Sequence, residues 1–450
     1  MSLAQRMGEF VAGLSIDSVP AAVIEKARAC LLNGYGIALG CHDTPYAPVA
    51  RRAALAADGE LPNGATMLGH GGRVGISWAA LANAALFHGR AQEDTCGAAH
   101  FGANLIPLLT AITEAKRLPV SRLIPAVIAG YEIGGLLELA YAGKTTPAGI
   151  RSTPLYGTIA AAAAAAKVMH LSATQTAAAL SNAASFAGGT LQSFSDGTDE
   201  WRYQPGIAGQ LGYAAALLAA AGSVSAPYAF EGPTGFVRAY ARVDCDVAAL
   251  SASLGRDWSI LRVTFKPYPV CAFNQTPVVA TLALREKLAG AVPARVRVKM
   301  NPYETGYAGM DSKGPFNSIS GTLMSIPFCI AATLVHATPT MQMMTTYDDP
   351  AVNALVGRID LVPDERIARL SCIIETTLED GRVIIQEQPM TTADFAYDRA
   401  TVSALVRRIG AEQGVPAAAY DLIEGFVSKL PNGTIDDVLN AFRQLPGART

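Results

Sequence analysis

The sequence predicts a mainly α protein: a large helical domain formed by residues 1–265 and 394–450, interrupted by a smaller α+β domain at 266–393. Three observations carry this prediction. Apolar residues recur at helical spacing through the first 230 positions, separated by Gly, Pro and Asn breaks. Alternating β-prone runs begin only near residue 258. Helical periodicity returns from Asp394 and runs to a polar LPGART tail that should fray.

In chain order, the helical pattern is clearest at 21–39, 76–88, 104–118 and 120–141. The alanine-rich runs 156–170 and 214–222 carry small side chains on every face, so they suit helices packed at close range in a crowded interior. Residues 260–265 alternate as a strand would, a helix is predicted over 277–288, and ARVRVKMN at 294–301 reads as a strand. LSCIIETTL and RVIIQEQ flank Glu379-Asp380-Gly381 and predict a hairpin over 370–386. No internal repeat or long linker interrupts this order.

Composition narrows the function. Of 450 residues, 50% are apolar and only 16% charged, against ~25% charged in an average soluble domain, which predicts a surface partly covered by another subunit. The 35 basic and 37 acidic residues leave a net charge of −2, so nucleic acid is not an expected partner. Seven scattered cysteines never form CxxC, which disfavours a zinc ribbon or a disulfide framework and fits a reducing compartment. Arg6 and Glu9 break what would be the apolar core of a signal peptide, so a cytoplasmic location is expected. Two uncharged stretches, 203–230 and 326–344, contain Pro, Gly and Gln or His and read as buried helices rather than membrane spans. Neither a GKS/GKT loop nor a properly spaced dinucleotide glycine pattern is present, and no nucleotide cofactor is expected.

Four segments could carry chemistry. HGRAQEDTCGAAHFG at 88–102 concentrates His88, Arg90, Glu93, Asp94, Thr95 and His100 on a glycine-punctuated loop between apolar helices. His100 precedes a helix start near Ala103, where free N–H groups favour an anion and keep a nearby imidazole neutral, making it a candidate general base. A surface loop with locally paired charges is the alternative, and a metal site lacks a recognised ligand spacing. FKPYPVCAFNQTP at 265–277 holds Lys266 among Phe265, Pro267 and Tyr268, with Cys271 and Asn274 nearby. There Lys266 could lose its proton and act as base or acid, remain charged and clamp a carboxylate, or simply snorkel from a strand end. RSTPLYG at 151–157 and GTDEWRYQPG at 197–206 each place an arginine, Arg151 and Arg202, before a buried helix, where it could bind a carboxylate or serve an ordinary helix entry.

In order, these segments resemble the signature stretches of the MmgE/PrpD family, which includes 2-methylcitrate dehydratase, cis-aconitate decarboxylase and iminodisuccinate epimerase. The likeness extends through MSIPFCIA at 324–331 and DDPAVNALVGRIDLVPD at 348–364. It implies a helical domain with an α+β lid, a homodimer, no cofactor or metal, and proton chemistry beside a carboxylate of a small organic acid. It further implies His100 as abstracting base, Lys266 as acid or second base and Asp94 as the group orienting His100 or a substrate hydroxyl. Thr95, Arg202, Tyr268, Asn274, Tyr156 and Arg151 are then the substrate-binding candidates. Where the family typically has Asp, His and Lys this chain has Ala91, Thr153 and Trp201, and the histidine after the K-x-Y-P-x-C motif falls near Asn274 or Gln275. Fewer titratable groups imply a substrate less anionic than methylcitrate. The expected activity is a dehydratase-like lyase, with epimerase, isomerase or decarboxylase as alternatives. A non-catalytic ligand-binding or structural descendant is the competing class.

Overall fold

The computed structural model describes residues 1–448, so the fraying expected of the tail falls partly on residues 449 and 450, outside the described ones. Three helices form the centre: Leu123–Thr145, Ser152–Val168 and Gln204–Ala220. The alanine-rich middle helix packs against both others, and all its residues but Lys167 are buried. Small residues make this approach possible. A Cβ on Gly212 would stand 2.6 Å from the Thr158 carbonyl, and one on Gly134 2.7 Å from the Ala160 Cβ. Leu123–Thr145 and its short 3-10 lead form the one helix among the described residues that is long and apolar enough to cross a membrane; 83% of its apolar window is buried in the core. The stretches at 203–230 and 326–344 instead break into shorter elements, Gln204–Ala220 with a following turn region, and Ile326–His336 with Met341–Met344.

The sheet lies where the composition changes. Its four strands run in the spatial order Ile359–Pro363, Pro293–Met300, Cys372–Leu378, Val383–Gln388, the first pair parallel and the others antiparallel. Helix Gln275–Leu288 packs on this sheet and on Ile326–His336. The last two strands form the expected hairpin, closed by Gly381 at φ +83°. The final helices, Arg399–Glu412 and Ala417–Lys429, return to pack on Ala21–Leu39.

One expected strand is absent. Residues 260–265 begin as a 3-10 turn, Ser259–Arg262, because the buried Glu132 carboxylate accepts both the Ser259 and Ile260 N–H groups at 2.9 and 3.0 Å. Only Thr264 enters a β-bridge, pairing antiparallel with Thr95 of the 88–102 loop. That bridge ties the two most polar segments of the sequence together.

Candidate active site

The loop between helices Ile76–Phe87 and Gly102–Ala115 is buried over 88–96, including Arg90, Glu93 and Asp94. Such a concentration of charge is tolerated only where partners satisfy it. The Thr95–Thr264 pair exchanges both backbone hydrogen bonds at 2.9 Å, and the two hydroxyls bond each other at 2.5 Å. In an antiparallel register the residue two before Thr95 stands opposite the residue two after Thr264. Those residues are Glu93 and Lys266.

They form the centre of the site. Lys266 Nζ donates to Glu93 Oε1 at 2.8 Å and to the Ala91 carbonyl at 2.5 Å. Ala91 adopts φ +55°, a left-handed conformation unusual for a residue with a Cβ, at the point where its carbonyl meets the ammonium. His88 Nδ1 lies 3.0 Å from the other Glu93 oxygen, and Arg151 Nη2 lies 2.9 Å from His88 Nε2. Because the guanidinium can only donate, His88 Nε2 accepts and Nδ1 carries the proton toward Glu93. Burial, only partly opposed by Glu93, lowers the His88 pKa to about 4. Burial alone would raise the Glu93 carboxyl, but the His88 ring, whose N–H faces it, and the Lys266 ammonium outweigh it and hold Glu93 ionised, well below the usual range.

His100 completes the cluster. Its Nδ1 faces two acceptors, the Asp94 carbonyl at 3.0 Å and Glu93 Oε1 at 3.4 Å, so the proton sits there and Nε2 keeps a free lone pair. Burial, then the nearby Lys266 charge, pushes the ring well below its ordinary pKa and keeps it neutral. The Thr153 hydroxyl accepts the His100 N–H at 3.1 Å, so this threonine fixes the backbone that carries the ring.

Glu93, His100 and Lys266 border a small chamber of about 40 Å³. Phe194, Trp201, Phe273, Leu323 and Met324 supply much of its apolar wall. Trp201 is fixed by an indole hydrogen bond to Ser320 at 2.9 Å and sits edge-on to His88. Lys266 is the one cation lining the chamber among the described residues, and Glu93 stands beside it. Beyond Lys266 opens a larger cavity of about 390 Å³, sharing Gly97, Ala98, Lys266, Ala272 and Phe273 with the chamber.

The other expected site residues lie elsewhere. Asp94 faces away from the chamber: Tyr131 donates to its Oδ2 and the Gly102 N–H to its Oδ1 at 3.1 Å, so Asp94 itself occupies the helix N-terminus expected to attract a ligand anion. Burial raises its carboxyl to about 6. Arg202 donates to the His88 and Gly89 carbonyls at 2.6 and 2.8 Å and lies over the Trp201 and Tyr46 rings. Arg151 also donates to the Trp201 carbonyl and to Gln204. Both arginines brace the loop, and neither lines the chamber. Tyr156 pairs with Thr145 at 2.8 Å in the helical core, and Tyr268 bonds Gln275 through its backbone. Asn274 holds the Leu323 and Met324 carbonyls at 2.9 and 3.0 Å, fixing two wall residues from behind. Thr95 lines the outer cavity. Sequence reasoning missed Glu93 as the centre of the charge network; its signal is the register with Lys266. Among the described residues no group of three or more His, Cys, Asp or Glu side chains could hold a metal ion, and all seven cysteines are free.

An imidazole and a carboxylate-paired ammonium border one largely apolar chamber, on a helical scaffold with an inserted mixed sheet. The chain belongs to the MmgE/PrpD family: the MmgE/PrpD N-terminal domain matches residues 5–245 and the C-terminal domain residues 268–400. It is similar to a cis-aconitate decarboxylase-like protein of Aspergillus oryzae, 29% identical over 57% of this chain and 56% of that protein. It is also similar to the cis-aconitate decarboxylases of Aspergillus terreus, at 24% identity over 76% of this chain and 73% of that protein, and of Homo sapiens, at 26% over 64% and 60%. The chain therefore spans little more than half the length of the first of these relatives.

Proposed function

We propose that the chain is a cofactor-independent, dehydratase-like lyase that removes a proton α to a carboxylate or carbonyl of a small organic acid. The observation that carries this reading is that His100, whose Nδ1 faces two acceptors and so leaves Nε2 as the basic nitrogen, borders one chamber with Lys266. His100 Nε2 takes the α-proton, and the electron pair left on carbon spreads into an enolate whose charge Lys266 offsets. The C–O bond to a β-hydroxyl then breaks, the alkene forms, and the hydroxyl leaves as water with a proton from Lys266. Glu93 keeps Lys266 in place, and His88, itself held by Arg151, lies against Glu93.

The chamber's one cation is already paired with Glu93, so it can share its charge with one substrate carboxylate at most, which supports a substrate less anionic than methylcitrate. The chamber holds little more than water, so binding requires Phe273, Leu323 and Met324 to withdraw; their clamp by Asn274 makes the α+β region move them together as a lid. A second reading, decarboxylation, is favoured by the apolar walls, which desolvate a carboxylate, and by the named activities of the relatives. There the C–C bond breaks, CO₂ leaves without the electron pair, and that pair takes a proton from Lys266. A homodimer in the cytoplasm completes the proposal; Ile207, Leu217 and Leu218 leave apolar surface exposed on helix Gln204–Ala220, and sedimentation of the full chain tests the dimer.

The test is deuterium wash-in across a panel of hydroxy-, amino-, aromatic and lactone acids, followed by alkene absorbance and CO₂ release. Wild-type protein should exchange an α-proton, and His100→Ala should lose exchange while keeping its thermal midpoint. Full exchange and turnover in folded His100→Ala and Lys266→Ala variants would instead leave a non-catalytic ligand-binding protein as the better account.

A further inference from the structure

The cavity beyond Lys266 has features that proton transfer at His100 does not need. Glu304, on the short helix Pro302–Thr305, lines it and is fully buried. Its Oε1 accepts the Leu370 N–H at 2.8 Å, but among the described residues its Oε2 has no hydrogen-bond partner. A buried carboxylate oxygen without a donor is expensive, and a ligand that supplies the missing donor removes that cost. Burial lifts this carboxyl to about 7, which is what an unmet acceptor in an apolar wall should do.

The other charged groups of the cavity are already engaged. Glu138 accepts the Ala98 N–H at 2.8 Å and lies 3.7 Å from Arg262, and Arg369 stacks on Tyr303. Phe265, Phe273 and Phe395 give the remaining wall an apolar character. Glu304 is therefore the group with capacity to spare, reached from the reacting chamber past Lys266.

We propose that this cavity is a second substrate subsite, in which Glu304 Oε2 accepts a hydrogen bond from a hydroxyl or ammonium group at the far end of the substrate. The inference rests on the proton-transfer reading and deepens it: the substrate is a carboxylic acid whose carboxylate end sits near Lys266 and whose apolar arm ends in a donor. Above pH 7, where Glu304 is ionised, a second carboxylate at that end would meet it as a like charge and be rejected, so binding is read at about pH 8.5.

Ligand-observed NMR on the full chain tests this without turnover. The probes are straight-chain acids from butanoate to heptanoate, each unsubstituted, ω-hydroxy, ω-amino and ω-carboxy. At one chain length the ω-hydroxy or ω-amino acid should bind about tenfold tighter than the unsubstituted acid, the size expected of a hydrogen bond to a charged group, and the ω-carboxy acid should bind worst. Glu304→Gln keeps the acceptor for Leu370 and should erase the preference for the ω-amino acid, while His100→Ala should retain the whole order. Equal binding of donor and unsubstituted acids at every length, or an unchanged order in Glu304→Gln, would overturn the subsite. Loss of exchange in His100→Ala with no donor preference would overturn the subsite alone; exchange that survives in His100→Ala would overturn the proton-transfer reading alone.

Discussion

The two faces of the 88–102 loop differ more than their sequence suggests. Glu93 and Asp94 are consecutive acids, both buried, yet their carboxylates meet different surroundings. On the front face Glu93 meets an ammonium and two imidazoles; on the rear face Asp94 meets a phenol and the first N–H of a helix. The front carboxyl is held ionised by its neighbours, while burial raises the rear one to about 6. The difference teaches that burial alone does not make a carboxylate reactive. In the proposed reaction Glu93 acts by holding Lys266, whereas Asp94 anchors the loop to the helical core through Tyr131 and the Gly102 N–H.

The largest test of this contrast is removal of the front cation. Lys266→Met should lower the deuterium-exchange rate by about 10²- to 10⁴-fold, the range for a lost acid or base. Since Glu93 would then be buried without its charged partner, Lys266→Met combined with Glu93→Gln should recover stability without recovering rate, as thermal unfolding will register. Glu93→Gln alone keeps an acceptor for Lys266 but leaves its charge buried without a counter-charge; stability should fall by about 3–5 kcal/mol, and exchange in the folded fraction should slow about 10- to 100-fold. Asp94→Asn should lose about 1–3 kcal/mol of stability in denaturant titration and keep a rate within about threefold of wild type. A folded Asp94→Asn protein that no longer exchanges would break the contrast between the faces. The smallest effect is in the pH profile. Because the His100 pKa is lowered from 6.5, the base stays neutral through that pH and the acid limb should begin below it. Half of the activity lost at about pH 6.5 would mean that the ring is not held as described.

Much of the helical layout was legible because apolar spacing survives in a single chain: the helix expected over 21–39 is Ala21–Leu39 in the structure. The 260–265 strand was not, since Glu132, more than a hundred residues away in sequence, captures its first N–H groups. His100 and Lys266 could be singled out from their local settings, and the structure brings them to one chamber. Which of two adjacent acids faces them depends on a register with a distant segment, which composition and local spacing do not record. Arg202 and Arg151 illustrate the same limit: an arginine before a buried helix suits a carboxylate, but main-chain carbonyls of the loop satisfy the same donors.

The bridge between Thr95 and Thr264 has a mechanical consequence. Lys266 follows the last helical turn before the sheet-bearing half, so its position is set by how that half is seated against the loop. Side chains alternate along an extended backbone, and a slip of one residue would turn Lys266 to the opposite side and set Phe265 or Pro267 against Glu93. No intermediate placement delivers a weaker version of the same contact. The Glu93–Lys266 contact behaves as a latch with a single tooth, either engaged or open.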